Sequence, residues 1–301
     1  MNGPLPATEA IDPLTAAIDT LASSELARVL VDAQRSAVEA AAAAAGDLAR
    51  AIDAVAAALG AGRRVFVVGA GTSGRLGVLD AAELPPTFGV DPGLVTARIA
   101  GGDAALRSAV EGAEDDTAAG AAAVTDVRAG DVVIGLSASG GAPFVRAAIA
   151  ATRARGAVTI AIVNAAESPL ALEAEIGIVL ATGAEPIAGS TRMKAGTAQK
   201  IALNTISTGA MIVLGKTYGN LMIDVVATNA KLRDRALRLV RELCAGADPA
   251  ALLKAAGGRV KTAVAMDRLG CDRAGAEAAL AAAHGRLAAV IGAPQTVRPS
   301  A

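Results

Sequence analysis

Aromatic residues and histidine are nearly absent from this 301-residue chain, and each scarcity excludes a class of function. The sequence has no tryptophan, one tyrosine and three phenylalanines, so it lacks the aromatic platforms on which proteins stack nucleic-acid bases. His284 is the single histidine, which excludes a histidine-based catalytic triad and a metal site with several histidine ligands. We therefore expect carboxylates, lysines and hydroxyls to carry any chemistry.

Few cysteines, balanced charge and the lack of a long apolar run predict where the protein works. Cys244 and Cys271 stand in no metal-binding or redox spacing, so we expect buried thiols in a reducing cytoplasm. The 28 Lys and Arg residues against 29 Asp and Glu residues argue against a nucleic-acid or membrane-surface partner. No run of about 18 large apolar residues occurs, and residues 1–13 have neither the basic nor the apolar region of a signal peptide. We predict a cytoplasmic protein with no nucleic-acid partner and no membrane partner.

Short β-branched runs separated by helix-compatible stretches indicate an α/β fold. Continuous apolar runs, unlike alternating ones, are typical of strands in a parallel sheet that is buried on both faces. The predicted strands are Arg64–Gly69, Val95–Ala100, Asp131–Leu136, Val158–Val163 and Ile176–Leu180.

Helical patterns flank this α/β region on both sides. Residues 14–60 have apolar positions at helical spacing and predict two or three alanine-rich helices. Residues 201–243 predict further helix, and residues 248–291 predict a small three-helix unit broken by glycines.

The stretch from Val65 to Gly89 holds the strongest functional signal. An apolar run passes into a Gly/Ser/Thr-rich loop at residues 69–74, and a helix is predicted over Arg75–Ala82. Such a loop is typical of an anion site, because glycines let the backbone approach and the free N–H groups at a helix start point at the ligand. The predicted helix delivers Glu83 just before a stop at Pro85-Pro86. A carboxylate is the wrong charge to hold a phosphate, so Glu83 suggests acid/base chemistry.

Two further loops repeat the plan of the first. Residues 132–141, VVIGLSASGG, again comprise an apolar strand, a glycine and a small-hydroxyl loop, and residues 189–197 offer hydroxyls and two cations at a helix start. Ligands of doubly wound sheets bind beyond the carboxyl ends of the strands, so loops on neighbouring strands are able to close on one phosphate. The alternative is that each loop is a tight strand-to-helix turn, which favours Gly and Ser in any case. The hydroxyls of the first two loops belong to Thr72, Ser73, Ser137 and Ser139.

The first loop is neither a dinucleotide-binding loop nor a Walker A loop. Gly69, Gly71 and Gly74 have the dinucleotide spacing, but the acidic residue expected at the end of the second strand is displaced to Asp103. No Gly-Lys-Ser/Thr sequence closes the loop, which excludes a Walker A motif. The density of hydroxyls favours a phosphomonoester over a pyrophosphate.

A second candidate carboxylate lies on a helix predicted over Leu106–Ala123. Arg107, Glu111 and Glu114 recur on one face of that helix. The ordinary interpretation is a solvated face with an Arg107–Glu111 pair. The functional interpretation requires Glu114 to reach the same cleft as Glu83, which spacing alone does not establish.

Five blocks of the sequence together resemble one family, in register from about Thr8 to Ile291. They are residues 69–89 (GAGTSGRLGVLDAAELPPTFG), 109–116 (AVEGAEDD), 135–145 (GLSASGGAPFV), 189–200 (GSTRMKAGTAQK) and 215–225 (GKTYGNLMIDV). On these residues the chain resembles the N-acetylmuramic acid 6-phosphate etherases, members of the sugar-isomerase (SIS) phosphosugar-binding superfamily. Residues 8–13, TEAIDP, depart from the family's usual Thr-Glu-x-Arg-Asn-Pro because they lack the Arg-Asn pair.

The resemblance implies the SIS fold, which is an α/β three-layer αβα sandwich around a parallel sheet of about five strands, with a small C-terminal helical domain. The expected domains are an N-terminal helical segment at residues 1–60, the phosphosugar-binding domain at 61–240 and the helical domain at 241–301. A cytoplasmic homodimer that uses no metal and no cofactor is also implied.

The reaction implied by the resemblance is a lyase reaction of peptidoglycan recycling. The D-lactyl ether of N-acetylmuramic acid 6-phosphate is cleaved to N-acetylglucosamine 6-phosphate and D-lactate. Opening the sugar to its aldehyde makes the C2 proton removable, so that lactate is eliminated from C3 and water adds back. This route needs a base, an acid and donors that stabilise the enolate, which carboxylates, hydroxyls and N–H groups supply.

By the same resemblance, Glu83 is the proton donor to the lactyl oxygen, and Glu114 is the second acid/base residue that serves as the C2 base. The expected substrate-binding residues are Thr72, Ser73, Ser137 and Ser139 for the phosphate, and Ser190, Thr191 and Lys194 for the phosphate or the lactyl carboxylate.

Three alternatives stay open. The glucokinase regulatory protein shares the blocks more loosely, and a non-catalytic phosphosugar sensor of that kind needs the Ser/Thr loops but not both carboxylates. An aldose–ketose isomerase would also use a glutamate base, although the blocks at 83–86 and 109–116 favour the etherase. Glu83 would have a structural role instead if it caps a helix or pairs with Arg75 or Arg192.

Overall fold

The computed structural model describes residues 6–225, 230–244, 246 and 248–294. These residues group into two compact units. The first contains the described residues up to Ala82 together with Pro92–Ser207, and the second contains Glu83–Asp91 together with the described residues from Thr208 onward. This grouping does not test the predicted domain boundaries at residues 60 and 240, which stay a prediction.

A five-stranded parallel sheet forms the centre of the first unit. Its order is β2-β1-β3-β4-β5, so β1 lies between the second and third strands of the chain. Every predicted strand is confirmed, with ends that differ by no more than one residue. The strands are β1 (Val65–Gly69), β2 (Val95–Ile99), β3 (Val132–Ser137), β4 (Val158–Val163) and β5 (Ile176–Val179).

Eight helices belong wholly or partly to the first unit. Three of them lie between residues 23 and 60, in the region where two or three were predicted. The helices are α1 (Ser23–Ala33), α2 (Arg35–Ala43), α3 (Ala45–Gly60), α4 (Gly71–Phe88), α5 (Thr117–Ala122), α6 (Pro143–Arg153), α7 (Pro169–Glu173) and α8 (Lys194–Val213).

Helices cover both faces of the sheet, which explains why its central strands are continuously apolar. β1 and β3 are buried along their whole length, and β4 from its second residue onward. On one face, Phe66 and Val133 join a core with Val145 and Ile149 of α6. On the other face, α4 approaches so closely that a β-carbon on Gly77 would lie 2.7 Å from the Val67 side chain. The fold is the predicted α/β sandwich of the SIS type.

The predicted helix over Leu106–Ala123 is wrong. The segment instead forms a 3-10 turn at Ala113–Asp115, preceded by Gly112 with a left-handed φ of 72°. α5 begins only after Asp116, whose carboxylate accepts a hydrogen bond from the Ala119 N–H at 2.8 Å. A left-handed glycine and a new N-cap divide what the apolar spacing presents as one helix.

The predicted helix stop at Pro85-Pro86 is also wrong. α4 begins at Gly71, inside the predicted loop, and runs through both prolines to Phe88. It ends where Gly89 adopts a φ of 62° and donates its N–H to the Pro85 carbonyl at 2.9 Å. A proline removes an N–H and crowds the preceding turn, but the residues after it are still able to complete the last turn of a helix.

The second unit is mainly helical and has a core of its own. A two-stranded antiparallel hairpin, β6 (Thr217–Tyr218) and β7 (Leu221–Met222), interrupts the region predicted to be helical from 201 to 243. The predicted three-helix unit at 248–291 contains four helices. The helices that follow the hairpin are α9 (Ala230–Leu243), α10 (Pro249–Ala255), α11 (Val260–Leu269), α12 (Arg273–Ala282) and α13 (Leu287–Ile291).

Both cysteines lie in this second unit as free thiols, and both are half-buried rather than buried. Burial raises the pKa of the Cys244 thiol to about 11, and the negative charge of Asp267 adds to the rise. Among the described residues, no helix is both long enough and apolar enough to cross a bilayer.

Candidate active site

A cleft of about 440 Å³ lies at the carboxyl ends of β1 and β3. Its walls come from the first turn of α4, the loop that follows β3 and the 3-10 turn that carries Glu114. Glu9 and two residues of the third Ser/Thr loop, Gly189 and Thr191, complete it. The sheet therefore brings together the three loops that the sequence analysis singled out, at the edge where ligands of doubly wound sheets bind.

The first loop contributes the N-terminus of α4. Thr72 and Ser73 lie in the first turn of that helix and line the cleft. Gly71, with a φ of 53°, makes the sharp turn from strand into helix. The backbone N–H groups of a first turn have no acceptor four residues back, so they and the helix dipole favour an anion at this place.

A chain of buried polar side chains fixes the Ser73 hydroxyl. Its Oγ donates to Oε1 of Gln199 at 2.7 Å, and Nε2 of Gln199 donates to Oδ1 of Asn164 at 3.0 Å. Asn164 in turn donates from Nδ2 to the Leu180 carbonyl at 3.1 Å. The sequence analysis missed Gln199 and Asn164, although Asn164 directly follows a buried strand.

The last residue of β3 and the loop after it supply two hydroxyls to the cleft. The Ser137 Oγ accepts the Gly140 N–H at 3.1 Å, and the Ser139 Oγ accepts the Gly141 N–H at 3.2 Å. Neither hydroxyl donates a hydrogen bond within the described residues, so its proton is available to a ligand. α6 begins directly afterwards at Pro143 without a side-chain cap, which adds a second helix N-terminus beside the cleft.

The third loop reaches the cleft only in part. Thr191 lines it, whereas Ser190 and Lys194 are not among the lining residues. The start of α8 is closed by Glu185, a fully buried carboxylate that accepts the N–H groups of Lys194 and Ala195 at 2.9 Å each. Glu185 is another residue that the sequence analysis missed.

Of the two predicted acid/base residues, only Glu114 lines this cleft. Glu114 lines it from the exposed 3-10 turn. Glu83 is exposed, lies about three helical turns beyond Thr72 in α4 and is not among the lining residues.

Electrostatically, the cleft combines hydrogen-bond donors with three carboxylates. Glu9, Glu114 and Asp115 line it, and none of the described lining residues is a lysine, arginine or histidine. An anion in this cleft would therefore be held by N–H groups and hydroxyls rather than by side-chain cations. No cluster of three or more His, Cys, Asp or Glu residues able to hold a metal ion occurs in the described part of the chain.

A second, larger cavity of about 720 Å³ lies within the second unit. Lys261 lines it, but its ammonium group already donates to the carbonyls of Gly215 and Gly285 and to Asp224. None of the candidate site residues lines this cavity.

Two family descriptions match the chain. The "Glucokinase regulatory protein N-terminal SIS domain" matches residues 47–153, and the "SIS domain" matches residues 109–208. The phosphoheptose isomerase structure from Francisella tularensis superposes with a TM-score of 0.52 at 19% identity, covering 64% of this chain and 100% of that one. At that identity the likeness shows the shared fold alone.

Proteins named N-acetylmuramic acid 6-phosphate etherase match nearly the whole chain. The one from Deinococcus radiodurans is 50% identical over 298 residues, which cover 98% of each chain. The one from Gloeobacter violaceus is 51% identical over 284 residues, or 93% of each chain. The one from Salmonella typhimurium is 48% identical and covers 94% of this chain and 97% of the relative. With this identity along its full length, the chain belongs to the N-acetylmuramic acid 6-phosphate etherase family.

Proposed function

We propose that this protein is the carbon–oxygen lyase that cleaves the D-lactyl ether of N-acetylmuramic acid 6-phosphate, giving N-acetylglucosamine 6-phosphate and D-lactate in cell-wall recycling. One observation carries the proposal: in the cleft of this chain, which belongs to the etherase family, Glu114 lies among hydroxyl and N–H donors. Those donors suit a phosphomonoester, and the carboxylate suits proton abstraction.

The phosphate of the substrate binds at the donor-rich part of the cleft. The N–H groups of the first turn of α4 and the Thr72 hydroxyl approach it from one loop, and Ser137 and Ser139 approach it from the other. Ser73 contributes its backbone N–H, because its hydroxyl proton is directed to Gln199. Thr191 adds a further hydroxyl from the third loop.

Two glutamates carry the proton transfers once the sugar has opened to its aldehyde. Glu114 removes the C2 proton, and the electron pair passes into a C1–C2 enolate. Collapse of the enolate breaks the C3–oxygen bond as Glu83 protonates the departing D-lactate, which leaves an enal. Water then adds to C3 and gives a proton to Glu83. Glu114 exchanges its proton with solvent and then protonates C2. The roles of both glutamates rest on the family resemblance, and for Glu114 its position in the cleft lining supports the assignment.

Other parts of the proposal also rest on the resemblance. Ser190 and Lys194, which do not line the cleft, are assigned to the phosphate or the lactyl carboxylate on that basis. A cytoplasmic homodimer acting on a small phosphosugar, without a metal or a cofactor, is proposed on the same ground.

D-lactate release from N-acetylmuramic acid 6-phosphate in deuterium oxide tests the reaction. We expect the product to carry deuterium at C2, because elimination exchanges that proton with solvent. Glu114→Gln and Glu83→Gln should each lower kcat by about a hundredfold or more, the usual contribution of a general acid or base. Glu111→Gln is the matched control, since Glu111 is exposed in the same segment but does not line the cleft. Product without deuterium at C2 would contradict the elimination route.

A phosphosugar sensor is the second candidate, favoured by the match to the N-terminal SIS domain of the glucokinase regulatory protein. Saturable binding of phosphosugars without any D-lactate release would establish the sensor and remove both catalytic assignments.

A further inference from the structure

A third glutamate, Glu9, enters the cleft from the N-terminal part of the chain. It ends the short 3-10 helix Ala7–Glu9 and lines the same cleft as Glu114. The Glu9 side chain is exposed, and within the described residues its carboxylate makes no hydrogen bond and no ion pair. An unpaired carboxylate at the edge of a binding cleft is free to bind a ligand.

The segment that carries Glu9 is held against the third Ser/Thr loop. The Gly189 N–H donates to the Thr8 carbonyl at 3.2 Å, and Thr8 is fully buried. The Thr8 hydroxyl finds no hydrogen-bond partner in the described structure, which is an unfavourable state for a buried polar atom. Burying Thr8 therefore costs free energy. The same packing of the segment places the next residue, Glu9, at the cleft.

Gly189 leaves room for this carboxylate. A β-carbon at position 189 would lie 2.9 Å from Oε2 of Glu9, closer than real β-carbons approach an oxygen. Gly189 also has a φ of 74°, a conformation that favours glycine. A side chain at position 189 would thus displace Glu9 from its present position.

The charge of Glu9 limits which part of a substrate it is able to face. The phosphate and the lactyl carboxylate of an N-acetylmuramic acid 6-phosphate would both be repelled by it. The groups that remain are hydrogen-bond donors, namely the sugar hydroxyls and the acetamido N–H. A carboxylate accepts such hydrogen bonds strongly, and a site built this way discriminates against ligands that lack the donor.

We propose that Glu9 is a substrate-positioning residue that accepts a hydrogen bond from a hydroxyl or the acetamido N–H of the bound amino-sugar phosphate. This inference rests on the proposed function for the identity of the sugar. Donors at the loop ends hold the phosphate, and Glu9 orients the ring relative to Glu114.

Equilibrium binding to the full chain tests this role, with N-acetylglucosamine 6-phosphate, glucose 6-phosphate and inorganic phosphate as probes. Glu9→Ala should weaken binding of N-acetylglucosamine 6-phosphate by about ten- to a hundredfold, the range for one hydrogen bond to a charged group. Inorganic phosphate should bind as in the wild type or more tightly, because a negative charge has been removed. Glu39→Ala, which removes an exposed glutamate of α2, is the matched control.

One further variant separates positioning from proton transfer, and a second sugar phosphate identifies the donor. Glu9→Gln should recover part of the affinity, since its amide oxygen still accepts a hydrogen bond, and should leave the pH profile of kcat unchanged. If Glu9→Ala weakens binding of N-acetylglucosamine 6-phosphate but not of glucose 6-phosphate, the donor to Glu9 is the acetamido N–H. If it weakens binding of both equally, the donor is a sugar hydroxyl.

The inference is overturned if Glu9→Ala weakens phosphate and sugar phosphate equally, if it weakens neither, or if Glu9→Gln removes a limb of the pH profile. Binding of the product requires no turnover, so the two proposals fail separately. Glu9-dependent sugar binding without D-lactate release would remove the lyase and leave this inference standing. D-lactate release and sugar binding that are both unchanged in Glu9→Ala would support the lyase and overturn this inference.

Discussion

At the scale of single residues, hydrogen-bond direction decides what each hydroxyl of the cleft has to offer. The Ser137 and Ser139 hydroxyls accept hydrogen bonds from the backbone and are able to donate to a ligand. The Ser73 hydroxyl already donates to Gln199. The three serines look equivalent in the sequence. They differ because Gln199 comes from a distant helix, and only the fold brings it to Ser73.

Asp80 is a buried carboxylate of α4, and its protonation should make the free energy of unfolding depend on pH. Burial raises its pKa, and the hydrogen bonds from Asn204 at 2.6 Å and Ser207 at 3.0 Å oppose that rise. The folded state therefore holds this proton more tightly than the unfolded state. Stability contributed by the protonated form should be present at acid pH and lost as the pH rises from the unfolded value of 3.8 through the raised folded pKa.

Asp80→Asn should remove this pH dependence and keep an acceptor for both hydrogen bonds. The free energy of unfolding of the variant, measured by urea denaturation, should gain on the wild type as the pH rises above 4 and level off beyond the folded pKa. Asp53→Asn, at an exposed position of α3, should show no such trend. A constant difference between Asp80→Asn and wild type across that range would contradict the expectation.

At the scale of elements, the strands are easier to predict than the segments between them. β4 is predicted to the residue because continuous apolar, β-branched runs leave few other states. The segment 106–123 misleads because its alanines satisfy a helical pattern, and the pattern contains no information about Gly112 turning left-handed. Glu114 consequently reaches the cleft from a 3-10 turn, not from a helix face.

The N-terminus of α8 depends on one buried carboxylate. Both oxygens of Glu185 accept N–H groups of this helix, so its negative charge also complements the helix dipole. Glu185→Gln should lower the free energy of unfolding by about 2 kcal/mol, because one N–H then faces an amide group instead of an acceptor. Urea denaturation checks this. Glu175→Gln, at an exposed position, should stay within about 0.5 kcal/mol of wild type, and an equal effect would contradict the assignment.

At the scale of the whole molecule, each unit has its own core. In the second unit, Lys261 forms hydrogen bonds to three separate segments. Its ammonium group joins residues at the end of α8, after β7 and before α13, through Gly215, Asp224 and Gly285. Burial lowers the pKa of Lys261, and the Asp224 carboxylate opposes that shift.

Lys261→Met should therefore destabilise the second unit by about 2 kcal/mol, because the buried Gly215 carbonyl and the half-buried Gly285 carbonyl lose their donor, while Asp224 keeps Lys216 as a partner. Hydrogen exchange should show the loss as lower protection of amides in α11 and α13. Lys254→Met, at an exposed position of α10, should leave that protection unchanged. Unaltered protection in Lys261→Met would show that the three hydrogen bonds contribute little.

The sequence by itself determined the features that are local along the chain. The five strands, the parallel α/β class, the glycine-rich turns and the family all follow from spacing and from contiguous blocks of residues. The physical reason is that the apolar pattern of a strand and the geometry of a turn depend on residues within a few positions of each other. Glu114 and the Ser/Thr loops could be identified in this way before any coordinates.

Only the tertiary structure decided which of those residues share one cleft. It added Glu9 to the lining, and it left Glu83, Ser190 and Lys194 outside. It also linked Gln199 and Asn164 to Ser73, and Glu185 to the first N–H groups of α8. The contacts responsible join segments far apart in the chain, such as Thr8 with Gly189, and depend on how helices pack on the sheet. No local pattern encodes that packing, because the energy that selects it arises from the burial of distant surfaces against each other.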